Sequence, residues 1–85
     1  MVNVTADQAL EQLADELGSG GYATILTRSP APELRVVNRQ APALTEDICA
    51  GDGWFRGATA GLIAACEDIP AAAQAVARAV SGQAS

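Results

Sequence analysis

Residues 22–38 read Tyr22-Ala23-Thr24-Ile25-Leu26-Thr27-Arg28-Ser29-Pro30-Ala31-Pro32-Glu33-Leu34-Arg35-Val36-Val37-Asn38. Over residues 22–27, Tyr22, Thr24 and Leu26 alternate with Ala23, Ile25 and Thr27. The run is rich in β-formers, which is the pattern of a strand. Ser29-Pro30-Ala31-Pro32 then interrupts it, because each proline fixes its own φ and biases the residue before it to extended geometry. Residues 34–38 alternate again, with Leu34 and Val36 on one side and Arg35 and Val37 on the other. Two strands joined by a short turn make a hairpin, so the chain is part sheet.

Helices flank that hairpin. Upstream, Ala6, Ala9, Leu10, Leu13, Ala14 and Leu17 recur at helical spacing, and Asp7, Glu11, Asp15 and Glu16 avoid the stripe. This is an amphipathic helix of about 12 residues. Thr5 is its N-cap, with Gln8 placed for a capping box and Asp7 in the first turn. Gly18 fits the C′ position, and Ser19-Gly20-Gly21 continues the break. Asp15 and Glu16 sit in the last turn, where the helix dipole disfavours anions. Residues 1–4 are a short lead-in. At the other end, Ile69, Ala72, Ala73, Val76, Ala77 and Val80 repeat at helical spacing. Asp68 is the N-cap candidate, Pro70 falls in the first turn, and Gly82 ends the helix before a frayed tail at 83–85.

Between hairpin and second helix the pattern is weaker. Residues 38–42 are a loop. Leu44, Ile48 and Ala50 can line one face of a third strand, although Glu46 shares that face; Thr45, Glu46 and Asp47 can equally open a helical turn. Gly51-Asp52-Gly53 is a hairpin turn signal, and Trp54, Phe55 and Arg56 return as a fourth strand. Residues 57–65 are ambiguous, with extended structure expected around Leu62 and Ile63. The expected fold is one α+β domain over residues 1–85. Both helices cover one face of an antiparallel sheet of three to four strands. The opposite face carries Arg35, threonines and an aromatic residue, and a sheet covered on one side only often pairs with a second copy.

Composition narrows the chemistry. The 85 residues hold ten carboxylates against five arginines, with no His and no Lys, for a net charge of −5 and a pI near 4.3. Hydrophobic residues make up 49%, a globular composition with a thin core at this length. Without His there is no Ser-His-Asp or Cys-His arrangement, and the commonest metal ligand is missing. An acidic chain without Lys is a poor ligand for nucleic acid or anionic membrane. The first twenty residues lack a basic n-region and an apolar h-region, so no signal peptide is expected. Residues 57–66 are too short and too rich in Ala and Gly to span a bilayer. A cytoplasmic protein with reduced thiols is the expectation.

Several residues could carry chemistry. Cys49 and Cys66 are 17 apart and form no CxxC motif, so two thiols are too few for an all-cysteine zinc site. Cys49 as nucleophile has only carboxylates nearby in sequence, and these raise a thiol pKa where activation needs a cation. A buried or half-buried small apolar residue is the plainer expectation for it. Asp47 with Asp52, or Glu67 with Asp68, supplies too few oxygens for a calcium loop, and Glu67-Asp68 is a helix start. The glycines Gly18, Gly20 and Gly21 precede a strand, the reverse of a phosphate loop. No Asp-Ser-Leu attachment site of a carrier protein exists. No catalytic, cofactor or metal residue is therefore expected. Arg28, Arg35, Arg39 and Arg56 are expected to balance carboxylates within or between subunits. Adjacent Trp54 and Phe55 point to opposite faces, one inward and one outward. Together with Arg56 and Arg35 they form the expected interaction site, since exposed aromatics beside Arg typify interface centres. Alternatively, Trp54 caps the open end of a small core.

The run Leu34-Arg35-Val36-Val37-Asn38, then Ala41-Pro42-Ala43-Leu44-Thr45-Glu46, then Cys49-Ala50-Gly51-Asp52-Gly53-Trp54-Phe55, then Ile63 and Asp68-Ile69-Pro70-Ala71-Ala72-Ala73, resembles a group of small actinobacterial proteins of no assigned activity. Arginine without lysine and heavy alanine use suit a GC-rich genome. The chain departs from that pattern after Phe55, where Arg56-Gly57-Ala58-Thr59-Ala60-Gly61 stands in place of further aromatics. The resemblance implies a stand-alone accessory or regulatory role and no catalytic residues. The leading expectation is a non-enzymatic interaction module, homodimeric, with an unknown protein partner. The alternatives are a small-molecule or peptide binder at the Trp54/Phe55 hairpin, or a chaperone-like partner of a secreted protein.

Overall fold

The computed structural model describes residues 5–28, 31–58 and 61–81. The expected lead-in at residues 1–4, Ser29 and Pro30 of the first turn, Thr59 and Ala60, and the helix stop at Gly82 with its tail lie outside the described residues. Helix α1 (Ala6–Ser19) is followed by strands β1 (Ala23–Thr27), β2 (Glu33–Val37), β3 (Thr45–Gly51), β4 (Trp54–Gly57) and β5 (Gly61–Ala65), and by helix α2 (Ile69–Ser81). The strands form one antiparallel sheet in sequence order. The architecture is the two-layer α+β fold expected from the sequence, with five strands where three to four were expected. The extra strand is β5, which emerges from the ambiguous residues 57–65. Its Leu62 and Ala65 alone show no clean alternation, because a β-bulge against Phe55 and Arg56 shifts the register there and hides the period.

Each helix end has a local cause. Thr5 Oγ1 accepts from the Gln8 amide at 3.1 Å and the Gln8 side chain accepts from the Thr5 amide, the reciprocal capping box. The C-terminus of α1 differs from the expected stop at Gly18. The helix continues to Ser19, and Gly21 takes the left-handed conformation at φ 95°. The Tyr22 amide donates to the Leu17 carbonyl and the Gly21 amide to the Gly18 carbonyl, a Schellman closure. It needs a left-handed residue followed by an apolar one, and of the three glycines only Gly21 is followed by a large side chain, Tyr22. At the start of α2, Asp68 Oδ1 accepts from the Ala71 amide, as its N-cap position requires.

The strands alternate as their sequences demand. Leu34, Val36, Ile48 and Phe55 point to the inner face and are fully buried there with Ala9, Leu10, Leu13 and Leu17 of α1 and Ala72, Val76 and Val80 of α2. The alternative of a helical turn at residues 45–47 loses to a strand. Leu44 stays in the loop before β3, half-buried. Asn38, expected as the end of β2, instead organises that loop. Its Oδ1 accepts from the Gln40 and Ala41 amides, and its Nδ2 donates to the Val80 carbonyl at 2.8 Å. One side chain thereby ties the β2–β3 loop to the last turn of α2. The Asp52-Gly53 turn has φ of 55° and 80°, the two left-handed residues of a tight hairpin between Gly51 and Trp54.

Glu46 does share the inner face with Ile48, at 2% exposure. Its carboxylate lies over Gly57. A Cβ at Gly57 would come within 2.6 Å of Glu46 Oε2 and 3.2 Å of Ile63 Cδ1. A side chain at 57 would therefore have to displace the buried Glu46 carboxylate on the adjacent strand and press on Ile63.

Two outcomes follow for stability. Val76→Asp places a charge among apolar neighbours, at a cost of several kcal/mol against a total stability of about 5–10 kcal/mol. It should abolish the cooperative thermal melt, whereas Gln74→Asp on the exposed side of α2 should cost well under about 1 kcal/mol. Gly57→Ala should destabilise by about 1–3 kcal/mol through overpacking, and by measurably less in a Glu46→Ala background. Chemical denaturation of the four chains of that cycle measures the coupling.

Candidate functional site, the uncovered sheet face

The alternation that fills the core sends the remaining strand residues to the other face. The register groups them. Ile25, Arg35 and Asp47 lie side by side across β1, β2 and β3. Cys49, Arg56 and Leu62 lie side by side across β3, β4 and β5, with Trp54 and Ala65 beyond them. Among the described residues no helix covers this face, since the core that both helices build takes the inward-pointing set.

The large hydrophobics exposed among the described residues all belong to it: Ile25 at 56%, Trp54 at 42% and Leu62 at 61%. Around them are four charges. Arg35 donates from Nε to Asp47 Oδ1 at 2.8 Å and from Nη2 to Oδ2 at 3.4 Å, a fork across adjacent strands. The hydrogen bond and the charge of Asp47 push the Arg35 guanidinium further toward its protonated form, with a smaller push from Glu33. The other ion pair among the described residues, Arg28 with Glu11, clips the end of β1 to α1. Two of the arginines expected to balance carboxylates do so within the chain. Arg56 forms no ion pair with the described residues.

Of the four residues expected at the interaction site, Arg35, Trp54 and Arg56 share this face. Phe55 does not. It is fully buried beneath the helices, opposite Ala50 and Ala64. One of two adjacent strand residues must point inward, and the ring with no polar atom went to the core. Ile25 and Leu62 belong to the face and were not singled out beforehand. In β1 the alternation already opposed Ile25 to Leu26, but choosing the inward member needs the helices in place.

Cys49 and Cys66 are both free. Cys49 is exposed, against the expectation of burial, because its neighbours Ile48 and Ala50 occupy the inner face. Cys66 packs in the core, and burial pushes its thiol above the usual range. A separate cavity of about 230 Å³ opens between the end of α1 and α2, lined by Leu17, Tyr22, Pro70, Ala73 and Ala77 with Glu16 at its rim. Among the described residues no three His, Cys, Asp or Glu side chains converge on a metal position, and no helix is long and apolar enough to cross a membrane. No family model, curated protein or solved structure matches the chain.

The two thiols should separate in solution. In the folded protein Cys49 should react with a thiol reagent at once and Cys66 only on unfolding. The folded state holds the Cys66 proton more tightly than the unfolded chain does. Stability should then fall as pH rises above about 8.5, the unperturbed thiol pKa. Cys66→Ala should remove that slope in denaturation curves taken between neutral and alkaline pH.

Proposed function

We propose that this chain is a non-enzymatic protein-interaction module of accessory or regulatory kind, which works as a homodimer through its uncovered sheet face. The observation that carries the proposal is the concentration of exposed Ile25, Trp54 and Leu62 on that one face, beside Arg35 and Arg56. Trp and Arg together are the residues most often found at energetic centres of interfaces. The likeness of residues 34–38, 41–46, 49–55, 63 and 68–73 to small actinobacterial proteins supports the same accessory role, and free thiols suit a reducing cytoplasm.

A ligand-binding role rests on weaker ground. Phe55 is withdrawn into the core, so the Trp54/Phe55 hairpin offers a single aromatic ring. The cavity beside Tyr22, at about 230 Å³, falls short of the roughly 300–1,000 Å³ of sites that enclose a small molecule.

Size-exclusion chromatography with light scattering should give a dimer whose population rises with concentration. Leu62→Asp, at an exposed site with little folding cost, should shift it to monomer while keeping a cooperative melt. Acrylamide quenching of Trp54 fluorescence should weaken as dimer forms. A wild-type chain that stays monomeric at high concentration, with Trp54 equally quenched throughout, overturns the proposal.

A further inference from the structure

Resting on that reading, we infer that the occupant of the uncovered face is a second copy related by a two-fold axis running along β3. The inferred pairing sets Arg56 of each copy against Glu33 of the other.

The inference starts from charge. The uncovered face carries Arg35 and Arg56 against Glu33 and Asp47, so its net charge is zero. The other eight carboxylates and three arginines hold the whole −5. Two copies of an acidic chain repel through most orientations and meet with the least like-charge opposition through the neutral face.

The register then selects an axis. Continuing the pairing of Leu34 with Ile48 by one residue sets Glu33 beside Cys49. Cys49 pairs with Arg56, Arg56 with Leu62, and Glu33 with Thr27. One row across the face is therefore Thr27, Glu33, Cys49, Arg56, Leu62. Cys49, on the middle strand, is its centre. A negative charge lies one strand to one side and a positive charge one strand to the other.

Stack two such faces and rotate one by 180° about an axis along β3, midway between them. The two sides of the row exchange. Glu33 of the second copy comes over Arg56, its Arg56 comes over Glu33, its Thr27 meets Leu62, and Cys49 faces Cys49. Stacked sheets lie about 10 Å apart, a gap that Arg and Glu side chains together span. Asp47 also lies on β3 and meets its own copy near the axis, but each Asp47 is held by its own Arg35 at 2.8 Å. A second axis in that plane, along the row itself, would set Arg56 over Arg56 and Glu33 over Glu33. Like charges directly opposed disfavour it.

The dimer is expected to be reversible. Five strands about 4.8 Å apart and about 17 Å long give a flat footprint of roughly 400 Å² per copy. Tight complexes bury about 800 Å² per partner, so side-chain relief leaves this face at the lower end of specific interfaces.

Charge exchange tests the pairing on the full chain. Arg56→Glu and Glu33→Arg should each weaken dimerisation by about tenfold or more in sedimentation equilibrium, and the double variant should recover most of the loss. With Cys66→Ala, Cys49 is the single thiol, and a short bismaleimide should link two copies through it. Dimerisation that withstands both single exchanges but is lost in Leu62→Asp overturns the Arg56–Glu33 pairing and leaves the sheet-face module standing. Single exchanges that weaken the dimer without recovery in the double variant, or no Cys49 link in a dimeric sample, also overturn the pairing. A monomeric wild-type chain overturns the module itself.

Discussion

Neighbouring residues of a strand cannot face the same side of a sheet, and in this chain that restriction divides the whole molecule. Leu34, Val36, Ile48 and Phe55 enter the core, so Arg35, Asp47, Cys49, Trp54 and Arg56 must leave it. A slip of one residue in β2 would bury Arg35, and one in β4 would bury Arg56 and expose Phe55. The register is held against such a slip from several directions. The left-handed Asp52-Gly53 turn allows one pairing of β3 with β4. The Arg35 fork grips Asp47 across β2 and β3.

The layer that covers the inner face is thin, and small residues make it workable. Ala9 and Ala72 are fully buried, so each helix backbone approaches its neighbours closely. Large groups, Leu10, Leu13 and Leu17 from α1 and Val76 and Val80 from α2, then fill the space beside them. The polar members of this layer are held by specific contacts. Asn38 closes the last turn of α2 through the Val80 carbonyl. Glu46 lies in the layer against the Cα of Gly57, where any side chain would collide with it. A core built this way leaves little space at Gly57, where an added Cβ would meet Glu46 and Ile63.

The outer face is the complement of that core. Its apolar residues sit towards the two edge strands and around Trp54, and its charges sit between them in balanced number. The rest of the surface carries the excess of carboxylates. For an acidic chain this division has a direct consequence, because the neutral face is the one on which close approach of two copies sets the fewest like charges against each other. It is also where the large exposed hydrophobics among the described residues lie, so apolar burial and local charge balance favour the same side of the molecule.

Much of the fold was legible in local pattern. The capping box at Thr5 and Gln8, the apolar stripes of both helices, the alternation in β1 and β2 and the Asp-Gly turn all act within a few residues, and a reader of the sequence meets each of them whole. The absence of His and the excess of carboxylates likewise belong to composition and need no fold. What tertiary structure decided were choices between locally equivalent options. Of three glycines, Gly21 closed α1, because closure needed Tyr22 to fold back on Leu17. Residues 61–65 became a fifth strand through pairing with β4, across a bulge that erases the alternation a sequence would display. Phe55 went inward and Trp54 outward, a choice set by which face the helices cover, and alternation alone leaves the two equivalent. Ile25, Cys49, Arg56 and Leu62 came together from strands far apart in the chain, since a face is a property of registers and registers exist only once strands pair.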